Sequence, residues 1–147
     1  MHSYVRRQFR HSLALALLAG CAGGATEPGP EAAGTFVLRT VRPGPGSELA
    51  VPAAYAVGGA GDSVRVLGGA FTLGGGRWSV RSEQEVVSGG VARGRTLEEG
   101  GSYTVAEEGG GRRVLDLYPG RLVTADRPWT AVLAGDTLHY GYGVYVR

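Results

Sequence analysis

Few residues in this chain can do covalent or acid–base chemistry. Its 147 residues include one cysteine, Cys21, and three histidines, His2, His11 and His139. No disulfide can therefore form within the chain. A Cys/His zinc site needs about four such ligands, and beyond residue 20 only Cys21 and His139 remain. A Ser-His-acid triad would have to use His139, which stands opposite the apolar positions of its strand. Glu98-Glu99 and Glu107-Glu108 are paired carboxylates. Paired carboxylates can do acid–base work, but sequence neighbours on a strand point to opposite faces. They read as loop charges beside Gly-Gly turns. Arg93 and Arg95 suit either an anion site or a solvated strand face. The Gly runs lack the strand-to-helix setting of a phosphate loop. These features argue against an enzyme, and no cofactor or metal is expected.

The cysteine has a more specific setting. Met1 to Arg10 carries Arg6, Arg7 and Arg10 and no acid, and Leu13 to Ala19 is a short apolar run. A charged start, a short apolar stretch and a small-residue exit form a secretory signal. The run is too short to span a bilayer, which needs about 20 residues. Cys21 directly follows Leu18-Ala19-Gly20, and this stretch resembles the lipobox of bacterial lipoproteins. The resemblance implies cleavage before Cys21, diacylglycerol on its sulfur and, usually, acylation of the new amino terminus. One acyl chain binds a membrane marginally, whereas two or more hold it. Lipidation would also remove a stray reactive thiol. The alternative is an ordinary signal peptide with an unrelated cysteine. Arg6-Arg7-Gln8-Phe9 resembles part of a twin-arginine signal, but Val5 and Arg10 depart from that pattern, and a general secretory signal is the favoured reading. In enteric bacteria an Asp after the lipid cysteine retains the protein at the inner membrane. Ala22 stands there, so the outer membrane is the expected side of the envelope.

Removing residues 1–20 changes the charge. Three arginines leave, so twelve basic residues face thirteen acidic ones, a net charge of −1. The positive formal charge belongs to the leader and gives no footprint for nucleic acid. Ala22 to Gly34 is small, Gly- and Pro-containing and without a large apolar residue. It cannot bury enough to order itself, and at full stretch its thirteen residues reach about 45 Å. The expected organisation is a signal peptide over 1–20, a lipidated cysteine and tether over 21–34, and one domain over 35–147.

That domain has no persistent 3.6-residue apolar period. Short alternating segments bounded by turn residues point to an all-β sandwich or barrel. Eight strands are predicted: 35–42, 50–57, 63–73, 77–87, 91–107, 112–118, 129–134 and 137–147. Pro52 makes the second irregular or places it at an edge. Gly68-Gly69 predicts a bulge or bend in the third. Gly100-Gly101 interrupts the fifth, beyond which Tyr103 and Val105 share a face. Residues 122–126 are an extra strand or a loop. In the fourth strand Trp78, Val80, Ser82, Gln84 and Val86 share one face, opposite Arg77, Ser79, Arg81, Glu83 and Glu85. In the last, Leu138, Tyr140, Tyr142, Val144 and Val146 face away from His139, Gly141, Gly143 and Tyr145.

Short turns make consecutive strands antiparallel neighbours. Eight of them suit closure into an up-and-down barrel, which removes sheet edges. The Gly-Thr-Phe opening, Gly-Ser-Tyr-Thr-Val (101–105), Val-Leu-Ala-Gly-Asp-Thr-Leu (132–138) and the Val-Tyr-Val-Arg ending resemble small lipocalin-like barrels of bacterial lipoproteins. Phe36 stands where true lipocalins carry the tryptophan of Gly-X-Trp. The resemblance implies an eight-stranded lipocalin-like barrel.

A barrel of this size holds packed side chains or one small ligand. The candidate ligand-binding residues are Trp78, Val80, Ser82, Gln84, Tyr103 and Tyr140. Ser82 and Gln84 either hydrogen-bond a ligand or meet water at the rim, because a buried unpaired amide is costly. Tyr140 and Tyr142 either line a pocket mouth or serve as core. Two functions follow: a lipid-anchored, non-catalytic envelope barrel for a small apolar or amphipathic ligand, or an interaction module with a filled interior and an envelope protein as partner. Cys21→Ser is expected to abolish lipid labelling and detergent partitioning while the body stays folded. A substituted chain that still enters the detergent phase would show that Cys21 is not the anchor.

Overall fold

The computed structural model describes residues 33–59, 61–120 and 127–147. The leader, Cys21 and nearly all of the tether lie outside the described residues, as does the 122–126 segment.

Ten strands follow in order. They are β1 (Gly34–Val41), β2 (Leu49–Ala50), β3 (Ala53–Ala56), β4 (Ser63–Gly74), β5 (Arg77–Ser88), β6 (Val91–Gly109), β7 (Arg112–Pro119), β8 (Trp129–Ala134), β9 (Thr137–Tyr140) and β10 (Gly143–Val146). Eight of them close a ring, β1-β4-β5-β6-β7-β8-β9-β10 and back to β1, every pair antiparallel. The chain is a closed up-and-down barrel, as its turn-bounded strands predict.

The eight staves are not the eight predicted segments. The predicted 50–57 strand is no stave. The chain runs down beside β1 as β2, with Thr40 opposite Ala50, and back up beside β4 as β3, with Ala53 opposite Val66. The reversal lies at Val51 and Pro52, where the Val51 N–H donates to the Arg39 carbonyl at 2.8 Å. These two short strands form a wedge between the upper parts of β1 and β4. Lower down, β1 and β4 pair directly, from Gly34 opposite Leu73 to Val37 opposite Ala70.

The predicted 137–147 strand is two staves. Gly141, at φ +54°, opens a two-residue turn, and glycine first in such a loop is the type II′ pattern. The turn reverses the faces beyond it. Leu138, Tyr140 and Tyr145 face the interior, and Val144 lies opposite to them. The expectation that Tyr142, Val144 and Val146 share the Tyr140 face is therefore corrected. The bulge predicted at Gly68-Gly69 is present, as a register shift between Val66 and Gly68. It moves the inward set from Val64 and Val66 to Phe71 and Leu73.

The fully buried large side chains are Phe36, Phe71, Leu73, Leu115, Leu117 and Leu138. Each contributes about 1.5–3 kcal/mol by leaving water. Among the described residues the buried core runs from Phe36 to Tyr145. Arg147 caps the end where β1 enters. Its guanidinium lies 5.4 Å from the centre of the Phe36 ring, bonds Asp136 at 2.8 Å and donates to the Ala33 carbonyl at 3.2 Å.

Gly100 and Gly101 do not break β6, which pairs with β5 through both of them and with β7 from Gly101 onward. They are glycines because neighbouring backbone crowds them. A Cβ on Gly100 would stand 2.8 Å from the Trp78 carbonyl oxygen, and one on Gly101 would collide with the Tyr118 carbonyl. Gly101→Ala should therefore cost about 3 kcal/mol or more. Gly94→Ala, in open space on the same strand, should stay within about 0.5 kcal/mol. Urea midpoints of the two variants check this; equal midpoints would contradict the crowding.

Candidate functional site

The interior is packed in one half and open in the other. At the open end a cavity of about 190 Å³ sits between β1, β3, β4, β5, β6, β9 and β10. None of the large, fully buried side chains named above lines it. The chain enters the barrel at the opposite end, where Gly34 pairs with Leu73 next to the β4–β5 turn.

Register decides which side chains reach this cavity. Along the β5–β6 ribbon Val80 stands opposite Glu99, Ser82 opposite Leu97, Gln84 opposite Arg95 and Val86 opposite Arg93. Paired residues share a face, so these β6 side chains join the inward set of β5. Leu38, Val41, Val66 and Val80 supply apolar wall, with Tyr55, Tyr140, Tyr142 and Tyr145 around it. Ser82, Gln84, Leu97 and Glu99 complete the β5–β6 side.

The polar groups are tied together. The Gln84 amide donates to Ser82 Oγ at 3.3 Å, and Arg95 donates to Gln84 Oε1 through Nε at 3.1 Å and Nη2 at 2.8 Å. The Tyr140 hydroxyl donates to Glu99 Oε2 at 3.3 Å. Burial raises the Tyr140 hydroxyl well above the usual phenol range, and the Glu99 charge adds to the rise. Tyr145 is pushed up to about 12, first by burial and then by the Glu99 charge.

Below the cavity lies an aromatic layer. Trp78 stacks on Phe71 with centroids 5.7 Å apart, and its ring lies 5.9 Å from Tyr140 and 6.0 Å from Trp129. Its indole N–H is buried without a hydrogen-bond partner among the described residues.

The structure places the candidate residues at two levels. Val80, Ser82, Gln84 and Tyr140 line the cavity, while Trp78 and Tyr103 belong to the packed core beside it. Ser82 and Gln84 hydrogen-bond to each other and to Arg95 in a half-buried setting. Arg95 donates through Nε and Nη2 to the Gln84 amide oxygen. His139 is half-buried on the face opposite Leu138 and Tyr140. Sequence reasoning missed Glu99, Tyr145, Tyr55 and Leu97. Glu99 read as a loop charge only because the glycines after it read as a break. Odd positions from Val91 to Val105 share one face of a continuous strand, and Leu97, Tyr103 and Val105 are the trace of that face. Compared with known proteins, the chain matches no family model, no curated protein and no solved structure.

Raised tyrosines make a pH prediction. The folded state holds its phenol protons more tightly than the unfolded chain, whose tyrosines titrate near 10.0. Stability is full below that value and falls as pH rises toward the folded value. Unfolding by denaturant should therefore become easier between pH 10 and about 12. Tyr145→Phe should flatten that fall, and an unchanged slope would contradict the assignment.

Proposed function

We propose that this is a lipid-anchored protein of the cell envelope, outer membrane preferred, whose barrel binds a small apolar or amphipathic ligand without catalysis. One observation carries the ligand reading: a barrel packed in one half keeps an apolar-walled cavity in the other. Interiors normally leave few voids larger than water, and barrel mouths are common ligand sites. The anchor reading rests on Leu18-Ala19-Gly20-Cys21 and the tether that follows. With the chain entering at the packed end, a lipid on Cys21 would leave the mouth free to face away from the membrane.

A second reading has its own support. Among the described residues, the edge of β6 from Val91 to Glu99 that turns away from β5 has no partner strand. Val91 is 55% and Leu97 42% exposed on it. Such an edge can accept a strand from an envelope protein.

The Cys21→Ser chain, purified without detergent, tests the ligand reading with a neutral solvatochromic dye. One-to-one binding that shifts Trp78 emission in a Trp129→Phe background is expected. Val80→Trp, or Ser82→Trp at a more tolerant site, should block it. A dye that fails to bind, or that binds equally well to a folded blocked variant, would move the function to the β6 edge.

A further inference from the structure

Four tyrosines and one carboxylate converge on the mouth. Tyr55 comes from β3, Tyr140 from the end of β9, Tyr142 from the turn after it, Tyr145 from β10 and Glu99 from β6. All five line the one cavity of about 190 Å³. We propose that the ligand is a small organic cation, an alkylammonium group seated against Glu99 within the tyrosine wall. This rests on the ligand-binding reading above and names the ligand class.

Charge separates the alternatives. The face of an aromatic ring is electronegative and attracts a cation lying within about 6 Å of its centre. Glu99 adds a full negative charge to that wall. Among the described residues its carboxylate accepts the Tyr140 hydroxyl and makes no ion pair. Arg95, the nearest inward cation on the same strand, stands four residues away, about 13 Å along the strand. Its guanidinium is held by Gln84. Arg81, on the outer face, pairs with Glu83 at 3.2 Å and Glu98 at 3.6 Å. Among the described residues no cation pairs with the negative charge at the mouth.

An anionic ligand would meet Glu99 with like charge. A neutral ligand can fill the apolar wall but leaves the Glu99 charge unmatched. An alkylammonium satisfies both the walls and the charge. Glu99 also keeps acceptor capacity, because one carboxylate offers about four lone-pair sites and Tyr140 uses one. The raised Tyr140 and Tyr145 hydroxyls stay protonated at neutral pH, so no phenolate competes with Glu99. Tyr142, 71% exposed at the rim, has a ring free to close over a bound cation.

Choline and its uncharged isostere dimethylbutanol, in which carbon replaces nitrogen, have the same shape and differ in charge. Both would be titrated into the Cys21→Ser chain by calorimetry and by tryptophan emission. Trp78 and Trp129 lie 5.9 and 6.4 Å from Tyr140 and report occupancy. Choline should bind at least about tenfold tighter. Glu99→Gln, which still accepts a bond from Tyr140, should erase that preference by weakening choline. Tyr142→Ala, at an exposed tip, should weaken choline about two- to fivefold. Equal affinity for the two probes, a preference that survives Glu99→Gln, or dye binding without choline binding would each overturn the cation inference and leave the pocket standing. Failure of choline, dimethylbutanol and dye together would overturn both.

Discussion

The ring is closed by a seam of four residue pairs between β1 and β4, from Gly34–Leu73 to Val37–Ala70. Backbone amides left unpaired at a sheet edge invite foreign strands, so the seam is what makes this sheet a barrel. It closes only the lower part of the wall. Above it the two strands part, and β2 and β3 fill the gap, one hydrogen-bonded to each. Narrow at the seam and widened by the wedge, the barrel packs at one end and stays open at the other.

The remaining architecture follows from that asymmetry. Phe36 and Phe71 face each other across the seam and are fully buried, and Arg147 covers Phe36 from outside. Trp78 extends the aromatic layer from Phe71 toward Trp129 and Tyr140. Of this layer, Tyr140 reaches the cavity wall. Tyr140 belongs to both levels, with its ring against Phe71 and Trp78 and its hydroxyl on Glu99. The ring contacts fix its position, and the desolvation they impose raises its phenol further above the usual range.

Each end of the barrel handles charge differently. At the packed end Arg147 is matched by Asp136, and Arg113 by Glu108 at 2.7 Å. These exposed pairs contribute little each. At the mouth the inward charges lie along one strand, with Arg95 and Glu99 on the same face of β6 and each held by a neutral partner, Gln84 and Tyr140. Separation along the strand keeps them from cancelling.

The sequence by itself determined the all-β class, the alternation of Trp78 and Val80 against Arg77 and Ser79, and the bulge at Gly68. Each of these is local: a period of two, or a glycine where the pleat slips. The tertiary structure decided which segments are staves and which side chains meet. Gly141-Tyr142 turns the last segment back on itself, yet locally it reads as a continuation because tyrosine and valine run on either side of it. Gly100-Gly101 reads as a break but is a continuous strand, since the backbone that requires glycine there belongs to Trp78 and Tyr118 on neighbouring strands. Glu99 and Tyr140 are 41 residues apart and bond only because the sheet closes. A strand's own residues fix its alternation but not its neighbours, and a site assembled across seven strands is set by their register.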